Sequence, residues 1–520
     1  MIKQATYNPG RSTPSVASSP HLYRPRSTSI HYPRRKTTLL QKLVALIPRR
    51  RPLRSYLTLT TLLLPIWLLI LLHGEHWIHE STIAECSWEN WERWPSGATP
   101  HRVALIADPQ LVDAHTYARR GPALWATIFY TDLYMARTWE TIHSTLAPNS
   151  VFFLGDLFDG GREWSVAPYH KKVEPVPEDP RGHGDWKKYK HNYWLKEFAR
   201  FEKMFPTPAG TRSHRSLPGN HDLGFGAGVR TDVRDRFQAF FGKPNTLTEV
   251  GNHTFISIDS VSLANEADPL IYTPPVDFLA SLEAQEHPLV PTPPRQLDHR
   301  IHSRTPQDTT APTGRKNPTV LLTHVPLYRT ADTTCGPLRE RGESIPIVYG
   351  YQYQNVLPPA LSSRVLAATK ARWVFSGDDH DACDVVHHYG TSGLAREITV
   401  KSVSWAMGVR RPAVYLLSLW NPEGAEGETL QGKLCYEVDQ IGVFIGYAFA
   451  ALVSFVVCWV ELVRRERRER RGLPVDAEGK YWKPGKGVKS WRWWGVEWAS
   501  EAGRTCAGVG VIYALVMWWW

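Results

Sequence analysis

The feature that most constrains the fold is a series of five short apolar runs, each of which ends directly in a group of polar side chains. The clearest run, Val151-Phe152-Phe153-Leu154, is followed by Gly155-Asp156. A short apolar run that is bounded by turn residues predicts a buried β-strand. Because α/β sheets place their ligands at the carboxyl ends of such strands, we expect Asp156 to point into a binding crevice. The pattern predicts an α/β domain whose site is assembled from strand ends.

The polar groups supply oxygen and nitrogen ligands and no thiolate. In chain order they are Asp108-Pro109-Gln110, Asp156 with Asp159 and Arg162, Asn220-His221-Asp222, His324, and Asp378-Asp379-His380. Each group alone is explained more simply as a helix cap, a turn or a core histidine. Five such groups on separate strands favour a metal centre, and their ligands suit divalent ions such as Mn²⁺, Fe²⁺ or Zn²⁺. We expect two ions to share Asp156, with Asp159 and Arg162 bracing its loop.

The segments between the runs complete the predicted domain, which extends over residues 100–420. Thr131 to Leu146 has helical spacing and joins the first two strands, so it predicts a β-α-β unit with parallel pairing. Asn192 to Phe205 has the pattern of an amphipathic helix. Residues 285–318 are rich in Pro, Thr and His, which predicts a disordered insertion.

Two uncharged stretches predict membrane attachment. Residues 56–72 contain seventeen residues without a charge, and residues 441–460 contain twenty. A bilayer core requires roughly 20 apolar residues, so both are predicted to be transmembrane segments. A cleavable signal peptide is the alternative for the first, but 55 residues precede it. The apolar segment 506–520 is shorter and is compatible with a third span, an interfacial segment or a packed helix.

The charge distribution predicts which side of the membrane each part occupies. Of the net charge of +11, residues 1–55 carry +12 and residues 461–504 carry +5, which leaves −6 on the remainder. Basic flanks mark the cytosolic side of spans, so the disordered tail 1–55 and the Trp-rich segment 461–505 are predicted to be cytosolic. The Trp-rich connector 73–99 and the domain then lie in the lumen. The mildly acidic body argues against nucleic acid as a partner.

Cysteines and one sequon agree with a lumenal body. Four cysteines fall within it, and in an oxidising compartment they allow two disulfides; the pairing among Cys86, Cys335, Cys383 and Cys435 is left open. Asn252-His253-Thr254 is a glycosylation sequon on the same side, so Asn252 is a possible glycan acceptor.

The series D-x-Q, G-D-x-x-D-x-G-R, G-N-H-D, a lone His and G-x-x-H resembles the calcineurin-like metallophosphoesterases over residues 100–405. Four stretches resemble the membrane-bound branch that remodels GPI anchors: Ala107 to Leu111, Thr323 to Arg329, Gly350 to Leu357 and Gly377 to Asp381. The resemblance implies a sandwich of two central β-sheets flanked by helices, here with two or three transmembrane helices.

The resemblance also implies a role for each polar group. Asp108, Gln110, Asp156 and His380 would hold one ion, and Asp156, Asn220, His324 and Asp378 the other. His221 would give a proton to the leaving oxygen, oriented by Asp222. Gln110 and Asp378 stand where the family usually has His, and Asp379 is a rival for the role of Asp378. The oxygen-rich ligand set favours Mn²⁺ over Zn²⁺ or Fe²⁺.

The function implied is removal of ethanolamine phosphate from a mannose of GPI anchors at the endoplasmic reticulum membrane, at its exit sites or in the Golgi. GPI-anchored proteins or the GPI glycolipid would be substrates, and cargo-export machinery a further partner. Two alternatives are a lumenal phosphoesterase that acts on another phosphorylated substrate, and a catalytically inactive membrane adaptor with the same fold.

Overall fold

The computed structural model describes residues 58–117, 120–164, 166, 189–286, 317–350, 352–424, 427–471 and 491–518. The described residues from Leu62 onward form one compact unit. The basic tail predicted over residues 1–55 lies outside the described residues. Residues 287–316 of the predicted insertion and 472–490 of the predicted cytosolic segment also lie outside them.

The described residues form thirteen strands. They are β1 (His101–Ile106), β2 (Ser150–Phe153), β3 (Arg212–His214), β4 (Thr246–Val250), β5 (His253–Ile258), β6 (Thr319–Thr323), β7 (Tyr349–Gly350), β8 (Tyr353–Gln354), β9 (Trp373–Ser376), β10 (Cys383–Tyr389), β11 (Gly393–Thr399), β12 (Ala413–Leu419) and β13 (Leu430–Tyr436). One sheet has the order β13-β12-β1-β2-β3, the second has β10-β11-β9-β6-β5-β4, and β7 and β8 form a separate hairpin.

The helices connect these strands and extend the chain at both ends. They are α1 (Leu59–Leu72), α2 (Ile78–Ala84), α3 (Gly121–Thr141), α4 (His191–Met204), α5 (Asn220–Leu223), α6 (Thr231–Phe241), α7 (Ser260–Leu263), α8 (Pro269–Glu286), α9 (Pro359–Thr369), α10 (Gln440–Arg471) and α11 (Trp491–Trp518). A π-helical turn, His73–Trp77, joins α1 to α2, and another, Ile142–Leu146, follows α3.

Strands β1 and β2 form the predicted parallel pair, with α3 as the crossover between them. Val103 is opposite Ser150 in this register. In the second sheet β5, β6, β9 and β11 are also mutually parallel. Strands such as β2 and β6 are buried along their whole length, as expected for parallel strands that are covered on both faces. The parallel strands of both sheets have their carboxyl ends on the same side of the sandwich. The predicted site residues follow these strand ends, and this side of the sandwich is called the catalytic edge.

The two sheets pack face to face, and helices cover their outer faces. Phe152 of β2 stacks on Phe255 of β5 between the sheets, with ring centroids 4.9 Å apart. On the outer face of the first sheet, Phe153 contacts Trp139 of α3 and Phe201 of α4. Helices α8 and α9 bury apolar side chains against the second sheet. The α/β sandwich predicted from the sequence is confirmed.

Three long helices lie beside the sandwich. Leu59–Ala84 and Gln440–Arg464 are long and apolar enough to cross a membrane, by length and composition. Helix α11 has 28 residues, and its Trp498 lies beside Phe455 of α10. Nearer the start of α10, Tyr130 of α3 contacts both Phe444 of α10 and Tyr513 of α11, so α10 and α11 run antiparallel. The structure therefore has one continuous helix across residues 505 and 506, where the sequence analysis placed a boundary.

A buried polar cluster joins these helices to the sandwich. The guanidinium of Arg137 on α3 lies 2.5 Å from the carboxylate of Glu75, and both side chains are almost fully buried. The hydroxyl of Tyr447 on α10 donates to the other oxygen of Glu75 at 2.8 Å. Gly74 allows this approach, because a Cβ at this position would overlap the Tyr447 ring. Arg137 and Tyr447 therefore meet the same carboxylate from two different helices.

The four cysteines that the sequence analysis assigned to the body form two disulfides, which resolves the pairing that the sequence left open. Cys86 pairs with Cys435 and so fastens the segment after α2 to β13. Cys335 pairs with Cys383 and fastens the loop after β6 to the start of β10. Cys458 and Cys506 are free thiols.

Candidate metal centre

Four strand ends bring predicted ligands together at the catalytic edge. Asp108 follows β1, Asp156 follows β2, His324 follows β6 and Asp378 follows β9. One ligand atom from each of Asp108, Asp156 and His324 lies within 4.8 Å of the others, and all three residues are buried. This cluster is a candidate metal site built from both sheets.

His324 lies at the centre of the cluster. Its Nε2 is 3.1 Å from Asn220 Oδ1, 3.3 Å from Asp156 Oδ1 and 3.5 Å from Asp378 Oδ1, and its Nδ1 is 3.7 Å from Asp108 Oδ1. Its Nδ1 also lies 2.8 Å from the carbonyl oxygen of Leu154. A proton on Nδ1 would be donated to that carbonyl, which leaves the Nε2 lone pair free for a cation.

The backbone at the cluster is unusual. Nine non-glycine residues among those described have a positive φ, and five of them are predicted ligands: Asp108 (48°), Gln110 (33°), Asp156 (51°), Asp378 (65°) and His380 (67°). Non-glycine residues in this region cost of order 1–3 kcal/mol each, and such strain concentrates at functional sites. The loops therefore turn sharply after each strand and aim these side chains inward at the expense of stability.

Two glycines permit the close approach of neighbouring loops. Gly219 lies against Asp156, and a Cβ there would overlap the carboxylate. Gly155 has φ +94°, and a Cβ there would lie 2.6 Å from His324 Nδ1. The glycines of the two sequence motifs are thus required by packing around the ligands.

The electrostatics of the cluster fit a bound cation. Asp108 Oδ2 is buried and has no hydrogen-bond partner among the described residues. Burial raises the pKa of the Asp108 carboxyl well above its usual range, and the nearby Asp156 carboxylate raises it further. Burial lowers the pKa of His324, but Asp156 and Asp378 outweigh burial and raise it well above its usual range, because these carboxylates favour a positive charge on the ring; a bound cation would take the place of that proton at Nε2. Crowded, under-satisfied carboxylates of this kind are the environment in which divalent cations bind.

His221 is fixed by Asp159. The Nδ1 atom of the ring lies 2.9 Å from Asp159 Oδ1 and 2.7 Å from the Asp159 carbonyl oxygen. The backbone N–H of His221 donates to Asp156 Oδ1 at 2.8 Å, which joins this residue directly to the metal cluster. Burial lowers the pKa of His221, but Asp156 and Asp159 outweigh it and raise the pKa above its ordinary value.

The expected role of Asp222 in orienting His221 is therefore corrected. The carboxylate of Asp222 accepts hydrogen bonds from the backbone N–H groups of Leu157, Phe158 and Gly219, at 3.1, 3.0 and 2.9 Å. It holds the Asp156 loop against the turn that carries Asn220 and His221. It orders the backbone of the site, while Asp159 orients the ring.

Arg162 and Asp379 also have partners that the sequence did not predict. Arg162 donates to the carbonyl oxygen of Asn220 at 3.2 Å, so it braces the turn that carries Asn220, whereas the sequence analysis expected it to brace the loop of Asp156. Asp379 forms an ion pair with Arg339. Because Asp378 faces His324 and Asp379 faces Arg339, the geometry favours Asp378 over its rival as the ligand.

Gln110 and His380 complete the predicted set. The Gln110 amide nitrogen donates to Asp156 Oδ2 at 2.7 Å. Burial of the ring lowers the pKa of His380 to about 4, so the ring is neutral and able to bind a metal. The backbone oxygen of His380 accepts from Ser402 at 3.0 Å.

Several supporting residues were missed by the sequence analysis. The carbonyl oxygen of Gln352, in the β7-β8 hairpin, accepts from the Asn220 amide at 3.3 Å. Lys401 is buried and forms an ion pair with Asp381, next to His380. The sequence did carry a signal for Gln352, because this residue belongs to the Gly350 to Leu357 stretch, one of the four that resemble the GPI-remodelling branch. Nothing local marked Lys401.

Comparison with known proteins decides the family. The profile of the calcineurin-like phosphoesterase family matches residues 101–382, which is more than half of the chain. The chain belongs to this family. The family resemblance that the sequence analysis described is confirmed. The chain is therefore an enzyme that hydrolyses phosphoric esters with the help of metal ions.

Relatives over most of the length support this assignment. Cell division control protein 1 of Saccharomyces cerevisiae is 36% identical over 416 residues, which are 77% of this chain and 74% of that protein. Metallophosphoesterase 1 of Pongo abelii is 28% identical over 389 residues, with 71% and 84% covered. The Metallophosphoesterase 1 homolog of Drosophila melanogaster is 25% identical over 401 residues, with 76% and 91% covered.

Proposed function

We propose that this calcineurin-like phosphoesterase is a membrane-bound phosphodiesterase of the secretory pathway that removes ethanolamine phosphate from a mannose of GPI anchors. The observation that carries the hydrolytic part is the convergence of Asp108, Asp156 and His324 within 4.8 Å at the catalytic edge. The substrate class rests on the resemblance of four separate stretches, including the one that packs on Asn220, to the GPI-remodelling branch.

The ligand set divides between two cations. Asp108, Gln110, Asp156 and His380 would hold one, and Asp156, Asn220, His324 and Asp378 the other. Two divalent cations in such a site lower the pKa of a water molecule and stabilise the attacking and leaving oxygens. Carboxylate and amide oxygens outnumber imidazoles here, so we propose Mn²⁺ as the preferred ion.

The protein's own contribution to turnover centres on His221. Asp159 occupies the Nδ1 side of the ring, which leaves Nε2 as the atom that gives a proton to the leaving oxygen. Asp156 holds the backbone of the same residue, so the proton donor keeps a fixed distance from the ligands. General acid catalysis of this type contributes roughly 10²–10⁴-fold to the rate.

Membrane attachment and compartment support the choice of a glycolipid substrate. Two apolar helices flank the enzyme domain in sequence, two disulfides lie within the body, and Asn252 of the glycosylation sequon lies on an exposed turn. Disulfides persist in oxidising compartments such as the endoplasmic reticulum. We therefore propose a lumenal domain in the endoplasmic reticulum or early Golgi, with GPI-anchored proteins as substrates and the cargo-export machinery as a further partner.

The test is an assay of the full chain in phospholipid nanodiscs with Mn²⁺. A GPI glycolipid that carries ethanolamine phosphate on one mannose and a generic phosphodiester, bis(p-nitrophenyl) phosphate, are offered separately. Mass spectrometry of the glycolipid reports loss of ethanolamine phosphate. We expect turnover of the glycolipid, and a loss of about 100-fold or more in His221→Ala.

Each other outcome selects an alternative. Turnover of the generic phosphodiester alone would indicate a phosphoesterase for a different substrate. No turnover, or equal turnover by wild type and His221→Ala, would contradict the mechanism and favour the inactive adaptor. The Asp379→Asn variant is the matched control, because Asp379 is paired with Arg339 outside the ligand cluster.

A further inference from the structure

An exposed aromatic pair lies on the first half of α3. Trp125 and Phe129 are stacked, with ring centroids 5.2 Å apart and an interplanar angle of 12°. Their exposed fractions are 65% and 37%. From Gly121 to Thr131 the helix has no charged side chain. A contiguous apolar surface of this kind on a folded domain marks an interaction site.

The contacts of α3 give its position relative to the long helix α10. Thr138 near the end of α3 donates to Glu437, which precedes α10, at 2.8 Å. Tyr130, two turns earlier, packs on Phe444, with ring centroids 5.3 Å apart. The earlier residue on α3, Tyr130, contacts the later residue of the second segment, Phe444, so the two helices run antiparallel. Tyr130 is therefore level with the first turns of the apolar stretch of α10.

Trp125 lies still further in the same direction. At 1.5 Å per residue, it is about 7 Å beyond Tyr130 along α3. If α10 crosses a bilayer, Trp125 and Phe129 reach the boundary between headgroups and acyl chains, where tryptophan is enriched. Tyr130 also lies 2.9 Å from Tyr513 of α11, hydroxyl to hydroxyl, so α3 contacts both long helices at this level.

The topology relates this surface to the metal centre. In the β1-α3-β2 unit, the first residue of α3 lies at the carboxyl ends of the strands, which is the catalytic edge. Another apolar surface occupies the same edge. The β7-β8 hairpin, whose Gln352 carbonyl contacts Asn220, exposes Ile347, Val348, Tyr349 and Tyr353. Tyr349 is 81% exposed.

We propose that the catalytic edge faces the bilayer, and that the first half of α3, Gly121–Tyr130, is an interfacial element inserted in the leaflet nearest the domain. The partner is the lipid surface itself. This rests on the membrane attachment proposed above. It deepens the proposed function, because a centre that opens towards the bilayer acts on a phosphodiester carried by a membrane lipid.

The proposal is tested by depth-dependent fluorescence quenching of the full chain in phosphatidylcholine liposomes. A polarity-sensitive fluorophore is attached at Phe129→Cys in a background in which Cys458 and Cys506 are replaced by Ser. The matched control is Leu394→Cys, which is 55% exposed at the start of β11, on the edge opposite the metal centre. Phosphatidylcholine brominated near the headgroup end of one acyl chain is the quencher.

We expect the label at position 129 to emit as in an apolar medium and to be quenched by the brominated lipid, while the label at 394 behaves as in water. Emission from position 129 as in water, or equal quenching at both positions, would overturn the proposal.

A kinetic arm separates this proposal from the proposed function. The double variant Trp125→Ser/Phe129→Ser is expected to lose about tenfold in kcat/KM on a lipid-carried phosphodiester and to retain wild-type rates on bis(p-nitrophenyl) phosphate. Equal loss on both substrates would overturn the membrane role, because it would place the effect in the catalytic site. Absence of all phosphodiester turnover by wild type would contradict the proposed function but leave the quenching result to decide the orientation.

Discussion

The Nδ1 atom of His221 lies 2.9 Å from Asp159 Oδ1, so the proposed proton donor is held by a carboxylate from the same loop that carries Asp156. Asp159→Asn keeps the shape and removes the charge. A carboxylate beside an imidazole favours its protonated form, so its loss lowers the pKa of His221. We expect kcat to fall about 10- to 100-fold, and the alkaline limb of the kcat/KM profile to move to lower pH by roughly one unit.

Asp222→Asn is the matched comparison, because this carboxylate accepts three backbone hydrogen bonds. We expect lower thermal stability and weaker metal retention, with the position of the alkaline limb unchanged. A shift of that limb in Asp222→Asn equal to the shift in Asp159→Asn would contradict the assignment of Asp159 as the orienting residue.

Adjacent carboxylates at positions 378 and 379 are expected to differ in metal binding. Asp378 faces His324 Nε2 at 3.5 Å, whereas Asp379 is paired with Arg339. We expect Asp378→Ala to lose about one bound metal per chain and Asp379→Ala to retain both. Inductively coupled plasma mass spectrometry on Mn²⁺-loaded, desalted protein measures this directly. The opposite order would show that Asp379 is the ligand.

The Glu75–Arg137 pair is expected to behave as a buried ion pair. Arg137→Met leaves the Glu75 carboxylate with the Tyr447 hydroxyl but without its counter-ion, so we expect a loss of about 3–5 kcal/mol. The double variant Glu75→Leu/Arg137→Met removes both charges and should recover most of this loss. Thermal unfolding of these variants in nanodiscs measures the losses in stability. A loss in the double variant equal to the sum of the losses in the two single variants would show that the two side chains do not interact.

Glu437 makes stability depend on pH. Burial raises the pKa of this carboxyl to about 8, and its Oε1 has no hydrogen-bond partner among the described residues. Between the ordinary pKa of 4.5 and 8, the folded chain holds a proton that the unfolded chain has released. Stability therefore falls as pH rises through this window, by about 1.4 kcal/mol per pH unit.

Glu437→Gln removes this dependence while keeping an acceptor for Thr138. We expect the variant to gain a few degrees in Tm over the wild type at pH 8 and little at pH 5, as measured by thermal unfolding of the full chain in nanodiscs. A gain that is the same at both pH values would indicate that the wild-type residue is ionised throughout.

The positions of the candidate ligands were predictable because the signal is local. A buried strand that ends in a polar side chain places that side chain at the sheet edge, and this held for Asp156 after β2 and for His324 after β6. The parallel pairing of β1 and β2 followed from the helical segment between them.

The partners of those ligands were not predictable, because they depend on how separate loops meet. Asp159 and Arg162 are neighbours in one loop and Asp222 directly follows His221 in sequence, but only the folded turn shows which of the three reaches the His221 ring. The choice between Asp378 and Asp379 likewise depends on Arg339, some forty residues away. The pairing of Cys86 with Cys435 spans 349 residues and has no local signal.

The central claim is that side chains from both sheets hold two cations at one edge, and an anomalous-scattering map of Mn²⁺-soaked crystals of the full chain tests it most directly. We expect two manganese peaks, both in contact with the Asp156 carboxylate, one also with Asp108 and the other with His324. A map without manganese at this edge, or with a single ion that does not touch Asp156, would contradict the account.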